Sequence, residues 1–182
     1  GVAAEAIVLG SITNDLPLLG KYGVKRIHTV GNVELNQLDA QVFTKIIADA
    51  AVATGATVIV LANNLTGKAI ASRLSVRLKA GLVSGAIALP DTSNGFVVKK
   101  NVFSGKAFAN ISITTAVKII SLNSNSYPIT ATEGVAEVMP FDATIDAGKV
   151  QAVAVNKIVG EVPLTEAEIV VSGGRGLKGP EN

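Results

Sequence analysis

The most constraining feature of this chain is the run Val58-Ile59-Val60-Leu61-Ala62, entered through Thr57 and left through Asn63-Asn64. Unbroken apolar character shows neither the period of two of a half-solvated strand nor the longer period of an amphipathic helix. With β-branched residues leading it, the run reads as a strand covered on both faces, the habit of a parallel sheet. Parallel strands need long crossovers, usually helical ones. Both flanks supply them. Upstream, Val42, Ile46, Ile47, Ala50 and Ala51 recur at helical spacing, so a helix is expected from about Asp39 to Thr54, capped by Gly55. Downstream, a helix is expected from about Lys68 to Lys79, stopped by Gly81.

The alternation continues on either side. Glu5–Leu9 reads as a strand ending at Gly10, Ile12–Lys21 as a short helix stopped by Tyr22-Gly23, and Arg26–Val30 as a strand closed by Gly31-Asn32. Val83–Leu89 reads as a strand ending at Pro90. The second half changes character. Phe96–Lys100, Asn101–Phe103, Ala107–Ile113 and Val117–Leu122 are short and β-rich, with Asn94-Gly95 and Ser104-Gly105 as turn candidates. Val135–Phe141 and Val150–Val159 read as further strands. The expected fold class is α/β: a mainly parallel open sheet with flanking helices and right-handed crossovers, carrying antiparallel strands in its second half. No linker divides the halves and no internal repeat is present.

Composition narrows the function. The chain has 182 residues, enough for one domain with a sizeable core. Hydrophobic residues make up 48% against 16% charged, which excludes disorder. A net charge of +2 is too balanced to argue for nucleic acid or an anionic membrane. Cysteine is absent, which excludes disulfides, thiolate metal sites and thiol nucleophiles. A single histidine, His28, excludes a multi-histidine metal site within the chain. Ala6-Ile7-Val8-Leu9 is far too short to span a membrane and lacks the basic flank of a signal peptide.

Few residues suggest chemistry. Thr66-Gly67-Lys68 follows a strand as a phosphate loop does, but Ala69 stands where such a loop needs Ser or Thr, and asparagines replace the preceding glycines. The simpler reading is a helix start capped by Asn64 or Thr66; a helix start beyond a strand's carboxyl end can still hold an anion. His28 reads as a structural or edge histidine. Glu133, Glu137, Asp142 and Asp146 read as carboxylates on solvated strand faces, and Lys99-Lys100 as a solvated edge. The most specific feature is Ser172–Gly179, where four glycines in eight residues free the backbone to approach a ligand. Arg175, between Gly174 and Gly176, is placed either to hold phosphate or reduced-ring charge, or to sit exposed in an interdomain turn. Ile169-Val170-Val171 before it reads as a buried strand, and the glycine turn after it as the entry to a helix. The chain is therefore expected to be part of a longer protein, with residues 1–170 an amino-terminal α/β domain and 171–182 the start of a second.

Ile169–Asn182 resembles the junction of the electron transfer flavoprotein alpha subunit. Glu161–Glu168, Thr66–Leu74 with Leu78–Leu82, and Phe103–Ala107 are similar to the same family, so the resemblance covers essentially the whole chain. It implies an amino-terminal domain like the adenine-nucleotide alpha-hydrolase fold. It implies FAD bound mostly by a following domain, with Arg175, Gly174 and Gly176 at the flavin, and AMP in a partner beta subunit. Arg175 would favour negatively charged reduced flavin and raise its potential. The resemblance implies an electron carrier rather than an enzyme. It takes electrons from flavoprotein dehydrogenases such as acyl-CoA dehydrogenases of fatty acid β-oxidation. It passes them to a quinone oxidoreductase or another acceptor, in the bacterial cytoplasm (favoured) or mitochondrial matrix. This portion would be mainly scaffold and subunit interface, with no membrane insertion. Two departures stand out. The family's first strand and helix are expected before Gly1, and Asn123 stands where many members have arginine. The alternative is a nucleotide-binding enzyme of the same fold using the Asn63–Lys68 turn.

Overall fold

The computed structural model describes residues 3–12, 15–150, 152–156, 160–162, 164 and 167–179. The strands in chain order are β1 (Ala4–Leu9), β2 (Val24–Val30), β3 (Val58–Ala62), β4 (Gly81–Ala86), β5 (Val97–Val102), β6 (Ala107–Ser112), β7 (Lys118–Leu122) and β8 (Glu137–Pro140). The helices are α1 (Ala40–Thr54) and α2 (Leu65–Leu78), with short 3-10 segments at Leu16–Tyr22, Val33–Asn36 and Arg175–Leu177.

Local chemistry sets the helix ends. The Asp39 side chain accepts from the amides of Gln41 and Val42 at the start of α1, and Gly55 closes it with φ +68°. The Asn64 side chain accepts from Gly67 N at the start of α2. Lys79 closes α2 in the left-handed conformation that glycine usually takes (φ 51°). Between β1 and β2 only a 3-10 segment forms, with Pro17 in its first turn. The helix expected from Ile12 is thus shorter; residues 13 and 14 lie outside the described residues.

The strands form two sheets rather than one. β1-β2-β8 is three-stranded and parallel throughout. The order β3-β7-β4-β5-β6 makes a mixed five-stranded sheet, parallel across β3, β7 and β4 and antiparallel across β5 and β6. The antiparallel extension is where the sequence places it. Two strands of the second half depart from that expectation: β7 inserts in parallel between β3 and β4, and β8 joins β2 in parallel. The reason is burial. Ile119, Ile120 and Ser121 are 0–4% exposed, so β7 is apolar enough to be a central strand.

Helices α1 and α2 pack side by side on one face of the strands. Ile47, Ala48, Ile70, Ala71, Leu74 and Ile119 form a buried cluster that Ile7, Leu9, Ile59 and Leu61 extend. Burying each large side chain here contributes about 1.5–3 kcal/mol. The expectation that β3 is covered on both faces is met on one. Among the described residues β3 is an edge strand, and Val58 and Val60, pointing away from α1, are 41% and 59% exposed.

Three further expectations are corrected. Lys99-Lys100 lies on β5, one strand in from the β6 edge, with Lys99 Nζ 4.5 Å from the centre of the Phe108 ring. Of the two places expected for His28, the edge is excluded, since β2 is the middle strand of its sheet, and the structural one holds: the ring is buried and bonded to Glu5. Ile169-Val170-Val171 forms no strand; its residues are 84%, 52% and 95% exposed, because no described strand offers them a ladder. Residues 152–156 likewise form no strand, while 151 and 157–159 lie outside the described residues, as do 163, 165, 166 and 180–182.

Candidate functional site

Ligands of open α/β sheets sit beyond the carboxyl ends of the strands. Here those ends in the five-stranded sheet meet in a polar cluster. Asn63 follows β3, Ser84 lies on β4, Ser121 on β7, and Asn123 just after β7. Asn63 Nδ2 donates to Asn123 Oδ1 (2.6 Å), while Asn63 Oδ1 accepts from Ser121 Oγ (2.8 Å) and Ser84 Oγ (3.1 Å). Ser121 Oγ also accepts from Gly85 N (3.2 Å). A β-bulge between Ser84 and Ala86, with Gly85 at φ +79°, aims that amide at it. Ser121 has no exposed surface. The cluster spends its donors and acceptors on its own members, so it ties three strand ends together and carries no charge.

Beside it stands the start of α2, the Asn63–Lys68 turn. Gly67 N is already held by Asn64 Oδ1 at 2.8 Å, and Lys68 N donates to Asn64 O at 2.9 Å. Gly67 is buried so tightly that a β-carbon there would overlap the Ala62 carbonyl oxygen. The turn is closed down onto β3 rather than opened as a phosphate cradle, and Lys68 points to solvent.

The amino-terminal end of the other sheet carries charge instead. Glu5 on β1 is bonded to both Arg26 and His28 on β2, the latter at 2.7 Å. His28 is buried and meets the Phe141 ring edge-on at 6.2 Å. The His28 hydrogen bond, aided by the Arg26 charge, holds the Glu5 carboxyl below its ordinary range. The other acidic candidates are exposed, as expected of solvated faces, and Asp146 meets Lys45 at 3.3 Å. No group of His, Asp or Glu able to hold a metal occurs among the described residues.

The glycine-rich stretch stands apart. Arg175 opens the last 3-10 segment, with Gly174 at its cap and Leu177 N donating to Gly174 O at 3.0 Å. Leu177 folds back over Gly173, while Gly174 and Gly176 have open space where a β-carbon would stand. Arg175 is exposed and makes no ion pair among the described residues. No hydrogen bond among them ties residues 167–179 to the α/β body.

The structure therefore keeps Asn63–Lys68, His28 and Arg175 at separate places. Sequence reasoning missed the Ser84–Ser121–Asn123 partnership with Asn63. Its signal was present: Ser84 and Ser121 are lone polar residues inside apolar strands, and such groups need a partner.

The family defined by the electron transfer flavoprotein domain matches residues 2–157. The chain belongs to that family. Relatives agree. The chain is 27% identical to an electron transfer flavoprotein subunit alpha of Bacillus subtilis over 164 residues, 88% of this chain and 50% of that protein. It is also 27% identical to one of Syntrophomonas wolfei, over all of this chain and 58% of that protein. Identity to one of Pseudomonas aeruginosa is 32% over 120 residues, 64% of this chain and 37% of the relative. The chain thus spans about half the length of the curated relatives it matches. In this electron transfer flavoprotein domain, Asn123 does not stand idle where the resemblance leads one to expect an arginine: it accepts the Asn63 amide.

Proposed function

We propose that this chain is the amino-terminal portion of an electron transfer flavoprotein alpha subunit. It serves as scaffold and interface for a beta subunit that holds AMP, with the second domain beginning near residue 171. The whole protein carries electrons from flavoprotein dehydrogenases, such as acyl-CoA dehydrogenases, to a quinone oxidoreductase or another acceptor, and works as a carrier rather than an enzyme. The family match over residues 2–157 carries this reading. The closed, neutral cluster beside Asn63 supports it, because a nucleotide-binding enzyme would need free donors there. No helix among the described residues is long and apolar enough to cross a membrane.

FAD, mostly bound by the remainder of the protein, supplies the electron storage. The residues present fit such a group: an exposed guanidinium with no ion pair among the described residues, between glycines with open space over their backbones. Arg175 would donate hydrogen bonds to an electron-rich edge and set positive charge beside it, and Gly174 and Gly176 would let the backbone approach.

The test is the visible spectrum of the native full-length protein with its co-purifying partner. Flavin bands, with FAD released on denaturation, are expected. Arg175→Ala is expected to lower the flavin potential and Arg175→Lys to keep most of it. A colourless protein that takes up no flavin on reconstitution, and binds adenine nucleotide at residues 63–68, would overturn the reading in favour of a nucleotide-binding enzyme.

A further inference from the structure

The loop joining β4 to β5 carries Asn94-Gly95, the one asparagine of the chain that glycine follows. Neither the scaffold nor the flavin reading uses it. We propose that Asn94 is a self-modifying site: its side-chain amide leaves as ammonia and the residue becomes isoaspartate. This inference rests on amide chemistry and the surroundings of one loop, and is independent of the electron-transfer reading.

The step is an intramolecular acyl transfer. Gly95 N gives its proton to a solvent base and attacks Asn94 Cγ. A C–N bond forms, the Cγ–Nδ2 bond breaks, and the leaving nitrogen takes a proton from water to depart as ammonia. The product is a five-membered cyclic imide. Water then opens the ring at one of its two carbonyls. Opening at Cγ gives aspartate; opening at the main-chain carbonyl gives isoaspartate, with the backbone rerouted through the side chain. One water is consumed and one ammonia released, and nothing is oxidised or reduced.

The first argument is steric. A side chain on the attacking residue would crowd the approach, and glycine has none. Gly95 has no atom within 4 Å of the place a β-carbon would take. Asn94 and Gly95 are both exposed, so base and water reach them.

The second is freedom. Other asparagine side chains are committed. Asn32 and Asn64 cap helical segments, Asn36 accepts from Ser11 N, and Asn63 and Asn123 hold each other. The Asn94 amide and Gly95 N make no hydrogen bond among the described residues. The loop is tied at its base instead. Asp91 and Val97 exchange both main-chain bonds (2.8 and 2.9 Å), and Asp91 Oδ1 accepts from Ser93 N and Ser93 Oγ (2.9 and 2.7 Å). Closing the ring at residues 94 and 95 therefore breaks none of these bonds. Asn101 and Asn110 differ: both lie within the β5–β6 ladder, which must open before either can react.

The modification changes charge as well as connectivity. From Thr92 to Thr132 the chain has Lys99, Lys100, Lys106 and Lys118 and no carboxylate side chain. Isoaspartate sets the first negative charge in that stretch and adds one main-chain carbon to the loop beside the Asp91–Val97 pair.

The experiment stores the complete native protein in warm, mildly alkaline buffer, then digests it with trypsin. Asn94 is the only amide side chain in the peptide Ala80–Lys99, while Asn101 and Asn110 fall in Asn101–Lys106 and Ala107–Lys118. Ala80–Lys99 is expected to gain about 1 Da as amide becomes acid. The gain should be about 10-fold or more faster than in the two ladder peptides, which wait on local opening. The aged peptide is expected to accept a methyl group from S-adenosylmethionine in the presence of an isoaspartyl methyltransferase, and Asn94→Gln, which cannot close a five-membered ring, to abolish this. A gain no faster than at Asn101 and Asn110 overturns the inference. So does a gain without methyl acceptance, or methyl acceptance by Ala80–Lys99 that survives Asn94→Gln.

Discussion

Two apolar runs, residues 58–62 and 169–171, have nearly the same chemistry and opposite fates. Val58–Ala62 is a strand because β7 lies alongside it and α1 and α2 roof it. Ile169-Val170-Val171 is exposed coil because the described residues offer it neither ladder nor roof. Apolar, β-branched sequence states a demand for burial; neighbours decide whether it is met.

Several substitutions would break or sharpen this contrast, beginning with the largest effect. Gly67→Ala forces a β-carbon into the Ala62 carbonyl, which should cost about 3 kcal/mol, whereas Gly176→Ala meets open space and should shift stability by under about 0.5 kcal/mol. Denaturant midpoints of the pair measure this. Ile119→Ala empties a site with no exposure and should cost about 2–4 kcal/mol, against little for Val171→Ala at 95% exposure. If Val171→Ala in the complete protein proves equally costly, that run acquires its partner outside the described residues. Ser121→Ala removes one donor to Asn63 and the acceptor for Gly85 N, and should cost about 1–3 kcal/mol by thermal melting. The smallest effect belongs to pH. The Glu5 carboxyl titrates below its ordinary value in the fold, so its contribution is present above that value and fades as pH falls through the lowered one. Glu5→Gln should flatten the acid limb of the stability curve and leave the neutral region nearly level.

Much of this was legible in the sequence. The caps Asp39, Gly55 and Asn64 act locally, so both helices read within a few residues. The hairpin at Ser104-Gly105 read for the same reason: φ is positive at Phe103, Ser104 and Gly105, a turn fixed by its own residues. What did not read was pairing. That β7 inserts between β3 and β4, or that β8 lies beside β2, depends on contacts between residues far apart in sequence, for which no local signal exists. The candidate site divides likewise. Gly174, Arg175 and Gly176 form a contiguous motif that could be noticed, while Asn63, Ser84, Ser121 and Asn123 come from separate segments and become a cluster only in the fold.

The position of β7 also has a consequence in time. β3 and β4 are finished by residue 86, yet neither pairs with the other; each waits for residues 118–122 to fill the place between them. The β5–β6 hairpin, closed by a short local turn, can form long before. A chain emerging during synthesis therefore carries β3 with no partner among the described strands, and β4 held only at its end by β5, until its seventh strand arrives. That interval, rather than the finished structure, is when this fold is most exposed to mispairing with a neighbouring chain.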